Sequence, residues 1–584
     1  MKRFSSAQML LLTVLSIGVI NAQESKTKSN SAIIDEFKTL IKEKMEKEHF
    51  VGVGAALILG DSVVWKEGFG YADKENKIPF TTQTALCTGS ITKPFTGMGI
   101  MQLHEKKLLD IDKPLVEYLP EFKIKTRKTD IKEVTVKSVL QHTSGIPNDI
   151  FLNAWDENEK YTDVVGYLKN EYLTYPVNMV YHYSNIGCSL LGHTILKVSH
   201  QGYPEYIQDN ILKPIGMNNS GFVDHYPLKN VSKTYDSTGI YVPVKYGRNI
   251  PAGGLVSTID DMVKFAQEMI EIYNGKKGGF LKPETLKMFD EINNDNIQNY
   301  NQCFGWDVFK NDSSIVIMHG GSHHVAIAML TVDLKKKIAA VFLVNTEGGV
   351  DFVEEAKDNF WKLSGMKSTD WVHPHPYKNN ITNNISADSL KAHTGLYADT
   401  RMSHVVKFEN GKLILNSVYG NFELKPQTNS EFLLGRIYKP DSVKWYKEPR
   451  FIISEVNGYK LLFWQDANYK RQPLGHLVIP KEINEIWKNR LGKYKLQGQE
   501  IETVEKFSGA ELLIADNNLL QLKVLYTSGE YIYNLRIEND NELILCGFDA
   551  TQGGETLSFS KENQYDILKL YGLTMKKSDL TSDK

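Results

Sequence analysis

The sequence predicts an α+β domain followed by two small antiparallel β-barrels. Three observations predict it. Strand-like runs stand at both ends of residues 31–370 with helical patterns between them, so one sheet takes strands from both ends of the segment. Residues 371–388 change to Pro, Asn, Thr and Ser, a composition that suits a linker. Residues 389–478 and 485–580 are then short strands divided by turn signals, as small barrels require. A chain of 584 residues exceeds the roughly 250–300 at which a single core stops growing, which also calls for several domains.

Taken in order, the chain opens with an export signal at residues 1–22. Lys2 and Arg3 precede an apolar run at 9–20, and Asn21-Ala22 offers a small-residue cleavage site before Gln23. The expected destination is the periplasm or the exterior. The run is shorter than the roughly 20 residues a spanning helix needs, so no integral membrane segment is expected after cleavage. A helix follows at 31–47, with Ile33, Ile34, Phe37, Leu40 and Ile41 on one face. Residues 51–59 read as a buried strand, Gly60-Asp61 as a tight turn, and 63–71 as its partner strand. Helical patterns dominate 92–265. Strands return at 314–318, 325–332 and 338–345, and a helix at 352–363 ends the domain.

In the linker, His373 and His375 are separated by Pro and have no third ligand nearby, so they read as linker rather than as a metal pair. The two barrel segments share a weak repeat. Gly395-Leu396-Tyr397 is echoed by Gly492-Lys493-Tyr494, 405–415 by 504–513, and 451–464 by 558–570. Cys87, Cys188, Cys303 and Cys546 are too few and too scattered for a disulfide framework or a zinc site, and read as buried thiols.

Composition excludes some functions. Hydrophobic residues at 41% and charged residues at 24% are ordinary for a globular protein. A net charge of −2 without a long basic run leaves no electrostatic footprint for nucleic acid. No Gly-x-Ser-x-Gly elbow, Gly-rich phosphate loop or His-Glu-x-x-His occurs.

Ser-x-x-Lys occurs four times, at Ser25, Ser90, Ser364 and Ser558. Only Ser90 opens an apolar-periodic helix, with Ile91, Phe95, Met98 and Met101 on one face. Residues three apart share a helix face, so the Lys93 amine can reach the Ser90 hydroxyl. Burial disfavours the ammonium form and yields an amine able to take the hydroxyl proton. The first turn of the helix also offers unpaired N–H groups to a developing oxyanion. Tyr183-Ser184-Asn185 is a second group. A Tyr hydroxyl can shuttle a proton and an Asn amide can orient Lys93 and a substrate carbonyl; alternatively the pair caps a helix starting near Ile186. His319-Gly320-Gly321-Ser322 is a third, placed directly after a strand. Its glycines admit a substrate backbone to the strand edge, or else mark a turn.

In this order the three motifs resemble the serine β-lactamase-like superfamily, in its class C β-lactamase, D-aminopeptidase and penicillin-binding branch. The resemblance covers about residues 31–365. It includes Leu108-Leu109-Asp110-Ile111-Asp112-Lys113-Pro114, Leu140-Gln141-His142-Thr143-Ser144-Gly145, Pro214-Ile215-Gly216-Met217 and Pro251-Ala252-Gly253-Gly254-Leu255. It implies a β-lactamase/transpeptidase-like catalytic domain, an antiparallel sheet with helices, needing neither cofactor nor metal. By resemblance Ser90 is the acylated nucleophile, Lys93 its activating partner, Tyr183 general base and acid, and Asn185 a positioning residue. The N–H groups of Ser90 and Ser322 form the oxyanion hole, and His142 holds a loop.

One departure concerns the substrate. The family's Lys-Thr-Gly is His319-Gly320-Gly321 here, so the lysine that attracts a substrate carboxylate is missing. That is similar to D-aminopeptidases and related esterases, as is a catalytic domain followed by two barrels. The implied activity is hydrolysis of an amide, peptide or ester through an acyl-enzyme, with a D-residue peptidase or amidase leading. A carboxylesterase or β-lactamase of the same fold is one alternative, and a penicillin-binding sensor without turnover is another. The implied partner is a small-molecule, peptide or ester substrate, cell-wall fragments included.

Overall fold

The computed structural model describes residues 29–578 apart from 157, 223–227, 293–295, 299, 367–384, 440–441, 466–470, 498–506, 527–528 and 549–550. The leader at 1–22, and His373 and His375, lie outside the described residues.

Helix α1 (Asn30–Lys47) begins where Ser29 caps the N–H of Ala32, and it buries Ile33, Phe37 and Ile41 from one face. Strands β1 (Gly52–Leu59) and β2 (Ser62–Asp73) form a hairpin, with Gly60 in the left-handed conformation its turn needs. After the short strand β3 (Ile78–Pro79) the chain leaves the sheet for a helical layer. That layer contains α2 (Thr92–Glu105), α3 (Asn185–Ser199) and α4 (Ile259–Tyr273). It returns through β4 (Gln302–Cys303), β5 (Trp306–Lys310), β6 (Ile315–His323), β7 (Ala326–Asp333) and β8 (Ile338–Val344), and ends on α5 (Gly349–Ser364).

The sheet order is β3-β2-β1-β8-β7-β6-β5-β4, so the first and last strands of the domain meet at its centre. Successive residues of a strand face opposite sides, and β1 uses both. Ala56 and Ile58 enter the core beneath α2, α3 and α4, while Val53, Ala55 and Leu57 enter the core beneath α1 and α5.

Two expectations about the first domain and its linker need correction. The strand expected at 314–318 continues through His323, pairing His319 with Leu330 and Ser322 with Ile327. The glycines do not break it, because pairing with β7 carries the ladder across them. The linker expected to reach 388 ends sooner. Ser386 caps a short helix, Ala387–Lys391, that buries Leu390.

Each following segment closes into an eight-stranded barrel. The first runs from Gly395–Ala398 to Arg471–Val478 and the second from Gly492–Leu496 to Leu573–Lys577. The first strand of each pairs with its last, Leu396 with Val478 and Tyr494 with Lys577, which removes exposed sheet edges. The repeat has a structural basis. In each barrel a short helix leads to a Gly with positive φ, at Gly395 and Gly492, then to a buried Tyr. Tyr397 and Tyr494 donate their hydroxyls to the carbonyls of His393 and Arg490, four residues earlier. Segments 451–464 and 558–570 both span the hairpin of the sixth and seventh strands. The middle correspondence fails: 405–415 is a strand, turn and strand, whereas Phe507–Ile514 is one strand. No described helix is long and apolar enough to cross a membrane. Cys87, Cys188, Cys303 and Cys546 are buried free thiols.

Candidate active site

Gly89–Ile91 form a single 3-10 turn that leads into α2. Ile91, Phe95, Met98 and Met101 are all fully buried and anchor the turn against the helical layer. Pro94 is the third residue of α2, where its missing N–H would have had no partner. Lys93, 1% exposed, places Nζ 3.1 Å from Ser90 Oγ and donates to the carbonyl of Ala252 at 2.8 Å. Burial lowers its pKa from 10.5 to about 8.

Ser184 caps α3 by accepting from the N–H of Gly187 at 2.8 Å. Capping therefore falls to the residue between Tyr183 and Asn185. The Tyr183 hydroxyl donates to Ser90 Oγ at 2.8 Å, and burial pushes that phenol well above its ordinary value. Asn185 donates Nδ2 to Asp149 at 2.9 Å rather than to Lys93, whose orientation is set by the Ala252 carbonyl. His142 accepts from the N–H of Ser184 at 3.1 Å and lays its ring 4.8 Å from that of Tyr183, so it braces this loop.

Strand β6 passes directly over the nucleophile turn. A Cβ on Gly321 would fall 1.9 Å from the Thr88 carbonyl oxygen, and one on Gly89 2.6 Å from that of Ser322. Only glycine at both positions permits the approach. Alternation along β6 decides which side chains face the substrate. Gly320 and Ser322 are exposed, and Ser322 lines the cavity with Ser90; His319 and Gly321 are buried. His319 was expected to position substrate, yet it does not line the cavity. It lies behind Tyr183, ring centroids 6.4 Å apart, and burial, aided by Lys93, lowers its pKa to about 3. Its imidazole is neutral.

Ser90, Asn185, Asp149 and Ser322 open onto a cavity of about 630 Å³. Both barrels contribute to its wall, the first through Arg401 and the second through Tyr526, Tyr531, Tyr533 and Gln552. His323 and His324 also line it, each with Nε2 at the Lys245 carbonyl. Motif spacing missed Asp149, Ala252 and the barrel residues. Ala252 stood in a family-like stretch but carried no chemistry of its own, because its contribution is a main-chain oxygen. Ser558 lies in the strand Thr556–Glu562 of the second barrel, away from this cavity. Among the described residues no three His, Cys, Asp or Glu side chains converge as metal ligands would.

The family model described as Beta-lactamase matches residues 37–363. The chain is 25% identical over 320 residues to Protein flp of Staphylococcus aureus (strain MW2), covering 53% of this chain and 62% of flp. It is 28% identical over 341 residues to Penicillin-binding protein 4* of Bacillus subtilis (strain 168), covering 54% of this chain and 72% of that protein. It thus spans less than two thirds of flp. Among solved structures it is similar to the octameric penicillin-binding protein homologue from Pyrococcus abyssi. That match has a TM-score of 0.50 and 23% identity, and covers 74% of this chain and 98% of the other. At that identity the likeness speaks for the fold.

Proposed function

This chain belongs to the beta-lactamase family, and on that premise we propose that it is a serine hydrolase working through an acyl-enzyme at Ser90. The observation that carries the proposal is the double contact on Ser90 Oγ, from Lys93 Nζ at 3.1 Å and the Tyr183 hydroxyl at 2.8 Å, beside a cavity large enough for substrate. Both partners shift away from their ordinary values for one reason, burial, but with opposite consequences. Lys93 loses its proton more readily, whereas Tyr183 keeps its own. The base role that resemblance gives to Tyr183 therefore passes to Lys93, and Tyr183 acts as a proton donor.

In the proposed cycle Ser90 Oγ attacks the carbonyl carbon as its proton passes to Lys93 Nζ. The N–H groups of Ser90 and Ser322 receive the oxyanion. The adduct collapses, the C–N or C–O bond breaks, and the leaving atom departs with a proton relayed by Lys93 and Tyr183. Water then attacks the ester carbon, and Ser90 regains its proton as the acid product leaves.

For the substrate we propose an amide or peptide at a D-residue, with esters as the second reading. The absence of a cation at residue 319 favours both over a β-lactam, whose carboxylate lies next to the cleaved bond. Export through the leader at 1–22 is part of the same proposal. Turnover of D-amino-acid amides, nitrophenyl esters and a chromogenic cephalosporin by the full chain tests it, with the first two expected to exceed the third. Rapid cephalosporin hydrolysis with no amide or ester turnover would overturn the substrate assignment.

A further inference from the structure

Since His319 is buried and neutral, the catalytic domain offers substrate no charge at that position. The first barrel does. Arg401 is the one Lys or Arg among the described residues lining the cavity. It sits in the turn between the strands Gly395–Ala398 and Ser403–Glu409, where the Asp399 carboxylate accepts the N–H groups of Arg401 at 2.8 Å and Met402 at 2.5 Å.

The second barrel grips this turn. Asn534 donates Nδ2 to the carbonyls of Asp399 at 3.2 Å and Met402 at 3.0 Å, and its N–H to that of Thr400 at 2.8 Å. Gly547 lies so close that a Cβ there would fall 2.4 Å from the Thr400 nitrogen. The Arg401 guanidinium lies 5.2 Å from the Tyr531 ring centroid and 5.7 Å from that of Tyr533. Among the described residues no carboxylate lies within ion-pair distance of its guanidinium, and Arg401 is exposed. A guanidinium flanked by two rings, held on a clamped turn and exposed at the cavity wall, can present its fork to a carboxylate.

We propose that Arg401 forms an anion subsite that binds a substrate carboxylate away from the scissile bond. The proposal rests on the hydrolase reading for its biological meaning. It narrows the substrate to an amide or ester that bears a carboxylate at some distance from the cleaved carbonyl. It also accounts for the neutral residue 319, since the charge that reads the carboxylate comes from a barrel instead of from the sheet.

Calorimetric titration of the full-length Ser90→Ala chain with an N-acyl-D-tripeptide, whose carboxylate lies a full residue beyond its first peptide bond, and with its C-terminal amide tests binding apart from chemistry. The carboxylate form should bind about 10- to 100-fold tighter, the range for a charge-assisted hydrogen bond. In Ser90→Ala/Arg401→Gln that ratio should collapse to near one, and Arg401→Lys should restore part of it. Equal affinities in Ser90→Ala, or an undiminished ratio after Arg401→Gln, would overturn the subsite. Failure of the hydrolase reading appears elsewhere, as a parent chain that binds the peptide by this ratio but turns over none of the test substrates.

Discussion

At Ser90 the chemistry depends on two neighbours held in different protonation states by the same burial. Because the pKa of Lys93 is lowered to about 8, the unprotonated amine becomes the major form as pH rises through that value. The predicted pH profile of kcat/KM therefore has a rising limb near pH 8, recorded with a neutral ester so that substrate ionisation does not intrude. A limb near pH 6 instead would assign the base to another group. Tyr183→Phe removes only the donating hydroxyl and should cost about 10²- to 10⁴-fold in kcat. Much of this was legible in sequence, because Ser90 and Lys93 are joined by helix geometry alone. His319 was not. Whether it faces substrate or core depends on strand β6 running past it and on alternation along that strand, and neither shows in four residues.

Among the elements, the contact between β6 and the turn at Gly89–Ile91 is what brings Ser322 beside Ser90. Gly321→Ala would place a methyl 1.9 Å from a main-chain oxygen that has no side-chain rotamer to yield. The strand would have to retreat, opening the oxyanion site. Activity should fall by about 10²-fold or more, the scale of losing one oxyanion donor. Stability should fall by about 1–3 kcal/mol through overpacking, read by chemical denaturation. Parent-like kinetics in Gly321→Ala would show that this approach is unimportant. A glycine pair after an apolar run reads naturally as a strand end; here it marks a strand crossing another piece of backbone. Helices α1, α2 and α5 and strands β1, β2, β7 and β8 were legible from apolar periodicity, since each presents a face to one of two cores, whereas the short strands β3, β4 and β5 were not.

For the whole molecule, the barrels are structural parts of the site. Glu555, 4% exposed, comes from the second barrel and accepts the N–H of Asn148 at 3.2 Å. Asn148 donates Nδ2 to the Tyr183 carbonyl at 2.8 Å and accepts the N–H of Asn185 at 2.9 Å. The barrel thus reaches the proton donor through one residue. Glu555→Ala strips that acceptor from a part-buried N–H, and kcat should fall by about 10-fold or more, whereas Glu555→Gln keeps an acceptor oxygen and should recover most of it. Equal losses in both would show that Glu555 serves only the fold. Strand count and turn spacing made the barrels legible; their contribution to the cavity was not, because Arg401 and Tyr533 meet Ser90 only after folding joins segments hundreds of residues apart. The claim on which all of this depends is that Ser90 is the acylated residue. The most direct measurement is peptide mapping by mass spectrometry after the full chain is incubated with a serine-reactive fluorophosphonate and, separately, quenched during nitrophenyl ester turnover. The predicted result is one adduct, on the peptide that contains Ser90, lost in Ser90→Ala together with at least about 10³-fold of the turnover. Labelling at another serine, or a Ser90→Ala chain that hydrolyses at the parent rate, would contradict the account.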